Sequence, residues 1–274
     1  MRIYFMGGKS YSKWRRKTAG NTVPKLFYRQ HSGGEEMDSE IDLKRKLKLE
    51  QAAFYMMTVI GGFMGGYALL RSGFLGAAQT ANLISIVLTL FGQDFVQVLL
   101  RIGAMVLYGV AIALTRIIPR YTKWDMRLVC IFIDMAGILL LGLIPENCDK
   151  VVALYPMFFM LAFQWNAFPG ACGYTSASIF STNNYRQTVM ALTDFACTRE
   201  RAALKKACFF FGSLFFYHFG VALAVIGMSL FGLVSVWMMI LPAVAAGLLT
   251  ELQYVQQKHS EKEAVSLPVY VKAS

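Results

Sequence analysis

Two ionisable side chains stand deep inside apolar runs, where a charge is expensive and each such group is a candidate for function. Asp134 lies in VCIFIDMAGILL and His218 in SLFFYHFGVAL. A carboxylate and an imidazole can pair or pass on a proton, because histidine titrates near neutral pH. The plainer alternative is that each bonds a neighbouring helix. Arg101, in FVQVLLRIGAM, can snorkel to a membrane interface, meet Asp134, or hold an anionic substrate. These three residues form the expected proton- or ion-coupling set. The amides Gln79, Asn82, Gln164, Asn166 and Asn184, with Thr80 and Thr182, stand at or near two apolar stretches interrupted by polar residues. Side chains of this kind hold a solute or satisfy the backbone groups that a broken helix frees. They form the expected substrate-binding set.

Enzyme signatures are absent: there is no nucleophile elbow, no H-E-x-x-H, no Walker loop and no dinucleotide fingerprint. No catalytic residue, metal or cofactor is therefore expected. The five cysteines (Cys130, Cys148, Cys172, Cys197, Cys208) have no paired short spacing, unlike a zinc site or a disulfide framework. Most fall in apolar segments as small hydrophobes.

The elements that must position these residues are helices in a bilayer. Of 274 residues, 56% are apolar and only 16% charged, far less charged than a soluble domain. The apolar residues come in runs near the length a helix needs to cross hydrocarbon: roughly 51–70, 95–115, 128–144, 151–168, 207–231 and 233–250. The two interrupted stretches, 74–92 and 173–195, are ambiguous by periodicity. Charge decides, because loops on the cytoplasmic side are enriched in Lys and Arg. If the interrupted stretches do not cross and the N-terminus is inside, 24 of 27 basic residues are cytoplasmic and only Arg71 and Lys150 lie outside. The expected fold is all-α, a polytopic membrane protein of about six transmembrane helices with two interrupted or re-entrant segments and both termini cytoplasmic.

The halves match in plan: helix, interrupted segment, helix, helix, then the same again. Each interrupted segment carries a T-x-N motif, Thr80-Ala81-Asn82 and Thr182-Asn183-Asn184. Three crossings per half make the repeat inverted, the plan on which many secondary transporters build a central site. On the first helix Gly61, Gly62, Gly65 and Gly66 form two interleaved G-x-x-x-G pairs. Small residues at this spacing let helices approach closely, here within one chain or between copies in a homo-oligomer.

The run GGFMGGYALLRSGFLGAAQTANL (residues 61–83) and the run FQWNAFPGACGYTSASIFSTNN (residues 163–184) resemble the two signatures of the YoaK family of bacterial membrane proteins. These are a Gly-Gly helix with a T-G-N-like motif, and a Q-N segment with a second such motif. The resemblance covers about residues 50–250 and implies roughly six helices, a bacterial plasma membrane and no assigned activity. Ala81 and Asn183 stand where that family usually has Gly, and Tyr67-Ala68 where an Asp-Ala pair is common.

Three regions follow: a basic tail over residues 1–50 with 12 basic and 6 acidic side chains, a transmembrane domain over 51–251, and a cytoplasmic tail over 252–274. Residues 1–37 read as disordered. Residues 38–51 read either as an interfacial amphipathic helix or as a continuation of the first membrane helix. With no apolar stretch before residue 52, the basic tail does not look like a cleaved signal, and the first helix is expected to be an uncleaved anchor. The expected partners are the lipid bilayer and a small solute or ion, with no nucleic acid. The alternative is a scaffold or sensor whose basic tail engages anionic lipid or a cytoplasmic partner. Sidedness is directly measurable: Cys148, in IPENCDKV, is expected to react with an impermeant thiol reagent in intact cells. Protection of Cys148, with reaction of a cysteine placed at Lys123, would show the inverted orientation.

Overall fold

The computed structural model describes residues 33–266, and side chains over 41–256. The chain divides into two units, residues 1–42 and 43–274. The tail expected over 1–37 lies outside the described residues as far as position 32, and from Gly33 the backbone is helical. Everything below concerns the second unit.

The helices are α1 (Gly33–Ser72), α2 (Gln79–Phe91), α3 (Phe95–Tyr121), α4 (Met126–Leu143), α5 (Tyr155–Ala167), α6 (Thr182–Thr198), α7 (Arg201–Phe231) and α8 (Ile240–Ser266). A two-residue hairpin, β1 (Gly170–Ala171) and β2 (Tyr174–Thr175), separates α5 from α6. Among the described residues, four helical stretches are long and apolar enough to cross a membrane: residues 41–72, 95–121, 126–143 and 201–256. The last contains two of the expected runs. It is broken after Phe231, where Gly232 adopts φ +61°, a conformation that glycine alone tolerates freely, and a 3-10 stretch runs to Met239. The run expected over 151–168 is a 3-10 turn at Val152–Leu154 followed by the 13-residue α5.

Phe132, Leu139, Leu143, Phe215, Phe219, Leu230, Leu241 and Leu248 are exposed on α4, α7 and α8. Apolar surface on this scale suits a lipid environment. The helix α1 is different: 78% of its most apolar window is buried, against 28% for α3. It is the hub.

Two rows of glycine make α1 a hub. A Cβ at Gly62 would strike the Tyr217 carbonyl of α7, and one at Gly220 of α7 would strike the Val59 carbonyl of α1. Backbone meets backbone at this crossing, and Gly66 extends it to Val221 and Ala224. Residues 62 and 66 of α1 meet 217 and 221–224 of α7 in ascending order, so the two helices run parallel. The other row is shared: a Cβ at Gly61 would strike the Ser178 carbonyl of the segment that leads into α6, and one at Gly65 would strike the Tyr217 hydroxyl of α7, with Leu75 of the segment that leads into α2 3.9 Å away. Both G-x-x-x-G pairs are thus used within the chain.

At the periphery α4 lies antiparallel to α8. Arg127 donates to Gln253 at 2.7 Å and Trp237 donates to the Leu139 carbonyl at 3.3 Å. Arg71 closes the end of α4 by donating to the carbonyls of Leu141, Ile144 and Pro145 at 3.0–3.3 Å, groups that a helix C-terminus otherwise leaves unpaired. Two further contacts match one another. The Tyr55 hydroxyl of α1 donates to the Phe209 carbonyl of α7 at 3.0 Å, and the Tyr155 hydroxyl of α5 donates to the Leu100 carbonyl of α3 at 2.8 Å. In each case the glycine three residues on, Gly212 or Gly103, faces the tyrosine hydroxyl.

Inserting even a methyl group into a closed backbone contact forces the helices apart, which costs about 1–3 kcal/mol. Gly62→Ala is therefore expected to lower the melting temperature of the detergent-purified protein and Gly62→Leu to prevent its accumulation. Gly109, whose Cβ would meet nothing, should accept alanine without loss.

Candidate functional site

The segment between α5 and α6 enters from one end of α1. The backbone N–H of Cys172 donates to the Glu50 carboxylate at 3.1 Å, near the start of the apolar part of α1, while Ser178 abuts Gly61. Eleven helical residues separate those levels, about 16 Å at 1.5 Å per residue. The chain climbs that distance as a non-helical strand, and α6 then returns along α7, against which it packs. The segment between α1 and α2 enters from the other end. Ser72 donates to the Lys150 carbonyl at 3.1 Å, Leu75 lies back at the level of Gly65, Gly76 rests on Met157 of α5, and α2 returns along α3. Neither α2 nor α6 has a side-chain cap at its N-terminus.

The second-half cluster is internally satisfied. Gln164 donates through Nε2 to the Met57 carbonyl at 2.8 Å and to Ser178 Oγ at 2.9 Å, tying α5, α1 and the entering segment together. Asn184 accepts from Ser176 at 2.8 Å and donates to the carbonyls of Ala177 and Phe180 at 2.9 and 3.1 Å. Ser176, Ser178, Gln164 and Asn184 are all buried, and only Gln164 Oε1 lacks a partner.

The first-half cluster differs. Asn82 is buried and donates to the Arg101 carbonyl at 3.2 Å and to Gln79 Oε1 at 3.4 Å, and the Arg101 guanidinium lies 5.0 Å from the ring centre of Phe74. Gln79 Nε2, Asn82 Oδ1 and the Nε and Nη1 of Arg101 are buried with no partner. Asp149, in the loop beside Arg101, is held below the usual carboxylate range. Partial burial pushes it up, but the Gln97 amide, the backbone N–H groups of Val152 and Val151 and the Arg101 charge together outweigh that.

The other expected site residues are placed apart from these clusters. Thr80 and Thr182 are exposed on the first turns of α2 and α6. Asn166 donates to the Ala162 carbonyl of its own helix at 2.9 Å. Asp134 is fully buried on α4, with Cys130 Sγ 3.6 Å from Oδ2 and no partner for Oδ1. His218 faces outward and bonds the Leu214 carbonyl of its own turn at 2.8 Å. Asp134 therefore pairs with neither His218 nor Arg101, and the two asparagines share no hydrogen bond. Among the described residues, no three His, Cys, Asp or Glu side chains cluster as metal ligands. Sequence reasoning missed Ser176, Ser178 and Phe74, since single hydroxyls and a ring in an aperiodic segment give no signal.

Residues 53–251 match the model of a family described as "Protein of unknown function (DUF1275)". The chain belongs to this family. The match covers the stretch on which the sequence resemblance rests, and the family's description assigns no activity. No curated protein and no solved structure matches the chain.

The two asparagines should differ on substitution. Asn184→Leu strands the Ser176 hydroxyl and two carbonyls, each a buried polar group costing about 1–3 kcal/mol when unpaired. Asn82 already has one open atom, so Asn82→Leu should be the milder change. Thermal melting in detergent is expected to show the larger drop for Asn184→Leu, and equal drops would contradict this assignment.

Proposed function

We propose that the protein moves a small solute or ion across a bacterial plasma membrane, through a site built where its two re-entrant segments reach the middle of α1. The observation that carries this reading is the approach of two non-helical segments to α1 from its opposite ends, one bringing Ser178 onto Gly61 and the other bringing Leu75 to the level of Gly65. Uncapped helix N-termini present free N–H groups and partial positive charge, and discontinuous helices of this kind form solute sites in secondary transporters.

The plan is a three-plus-three inverted repeat with six crossings and both termini cytoplasmic. A twofold exchange of α1 with α5 and of α3 with α7 turns the Tyr55–Phe209 contact into the Tyr155–Leu100 contact. Each half lends a tyrosine to the other. The stretch 201–256 supplies two crossings through its reversal at Gly232, and α5, extended by its 3-10 turn, supplies the short one. The proton- or ion-coupling candidate on this reading is Asp134, the fully buried carboxyl. His218, which faces outward, serves packing against lipid. Transport needs no catalytic residue, and none is assigned.

The test is uptake into liposomes containing the purified full-length protein, screened with amino acids, sugars, organic acids and inorganic ions. At least one solute is expected to enter faster than into protein-free liposomes, and Asn82→Leu should remove that uptake while the protein stays folded. Folded protein that moves nothing across such a panel would overturn the reading.

A further inference from the structure

The geometry points to an oxyanion bearing a hydroxyl as the species bound by Arg101, Gln79 and Asn82. Calling that species the transported solute rests on the transport reading above. The two clusters have unlike needs. In the Gln164–Asn184 cluster only Gln164 Oε1 lacks a partner, whereas in the Gln79–Asn82–Arg101 cluster four buried atoms do. Three of the four are donors, and two of those belong to a guanidinium, which is always charged.

No carboxylate among the described residues forms an ion pair with Arg101. Asp149 feels its charge, but the two Asp149 oxygens are already bonded to Gln97, Val151 and Val152. Phe74 covers one face of the guanidinium, which adds cation–π attraction and excludes water without supplying an acceptor. Arg101 is half-buried, and its two buried donors, Nε and Nη1, have no acceptor, a state that a hydrogen-bonded counter-charge offsets.

The open atoms also define the ligand. Arg101 Nε, Arg101 Nη1 and Gln79 Nε2 call for negatively charged acceptor oxygens, and Asn82 Oδ1, an acceptor, calls for one O–H. Hydrogen phosphate and hydroxycarboxylates have both, chloride has neither, and a phosphatidylglycerol headgroup offers the same chemistry from the lipid side.

The experiment uses the full chain in phosphatidylcholine nanodiscs, with melting followed as inorganic phosphate or lactate replaces sodium chloride at constant ionic strength. A saturable rise in melting temperature is expected with phosphate or lactate, weakened at least tenfold in apparent affinity by Arg101→Gln and partly kept by Arg101→Lys. Without added anion, Arg101→Gln should melt no lower than the parent, because it removes two buried guanidinium donors that have no acceptor. A merely structural arginine would make that variant less stable. If only phosphatidylglycerol raises the melting temperature, and only when Arg101 is present, the oxyanion site stands but its occupant is lipid and the solute assignment falls. No response to phosphate, lactate or phosphatidylglycerol, or equal responses of parent and Arg101→Gln, would overturn the site. Binding without uptake would count against transport alone, and uptake that survives Arg101→Gln would count against the anion alone.

Discussion

Contact between backbones at Gly62 and Gly220 sets the distance between α1 and α7, and the rest of the structure is arranged around that distance. In lipid there is little hydrophobic drive for helices to associate, so close van der Waals approach between small residues carries much of the association. Because the second glycine row sits one position away, on the adjoining side of α1, the same helix also accepts the chain entering α6 against Gly61. Larger residues at these positions would hold the segment that leads into α6 outside the core. Ser178 could then not reach Gln164, and the three-way tie between α1, α5 and that segment would be lost.

Much of this plan was legible in the residues themselves. Four glycines at helical spacing and two T-x-N motifs identified the close-packed helix and the interrupted segments. Orientation of single side chains was less legible, and the reason is physical. A membrane helix such as α7 is apolar on every side, so no contrast marks which face is inward, and His218 in its middle proved to face out. The aperiodic segments posed the same difficulty: Ser176 and Ser178 carry the second cluster, yet nothing in their spacing separates them from surface hydroxyls.

On the proposed repeat, the halves would have matching tyrosine contacts and different polar interiors. The paired tyrosine contacts are alike to the level of the bonded carbonyl and the facing glycine. The polar clusters are not, with Asn184 closed by three hydrogen bonds and the Gln79–Asn82–Arg101 group left open. Buried polar networks are most stable when every member is satisfied. The closed cluster is therefore a fixed tie between elements, and the open one keeps four buried polar atoms without partners.

The tyrosine contacts have a consequence for biosynthesis. Tyr55 meets a carbonyl 154 residues later in the chain, and a ribosome adding about 5–20 residues per second needs roughly 8–30 s to make that stretch. Throughout that interval α1 sits in the bilayer with the Gly62–Gly66 row bare, open to wrong neighbours. Assembly of the hub is therefore among the last events of insertion, and truncated chains that end before α7 leave it without its main partner.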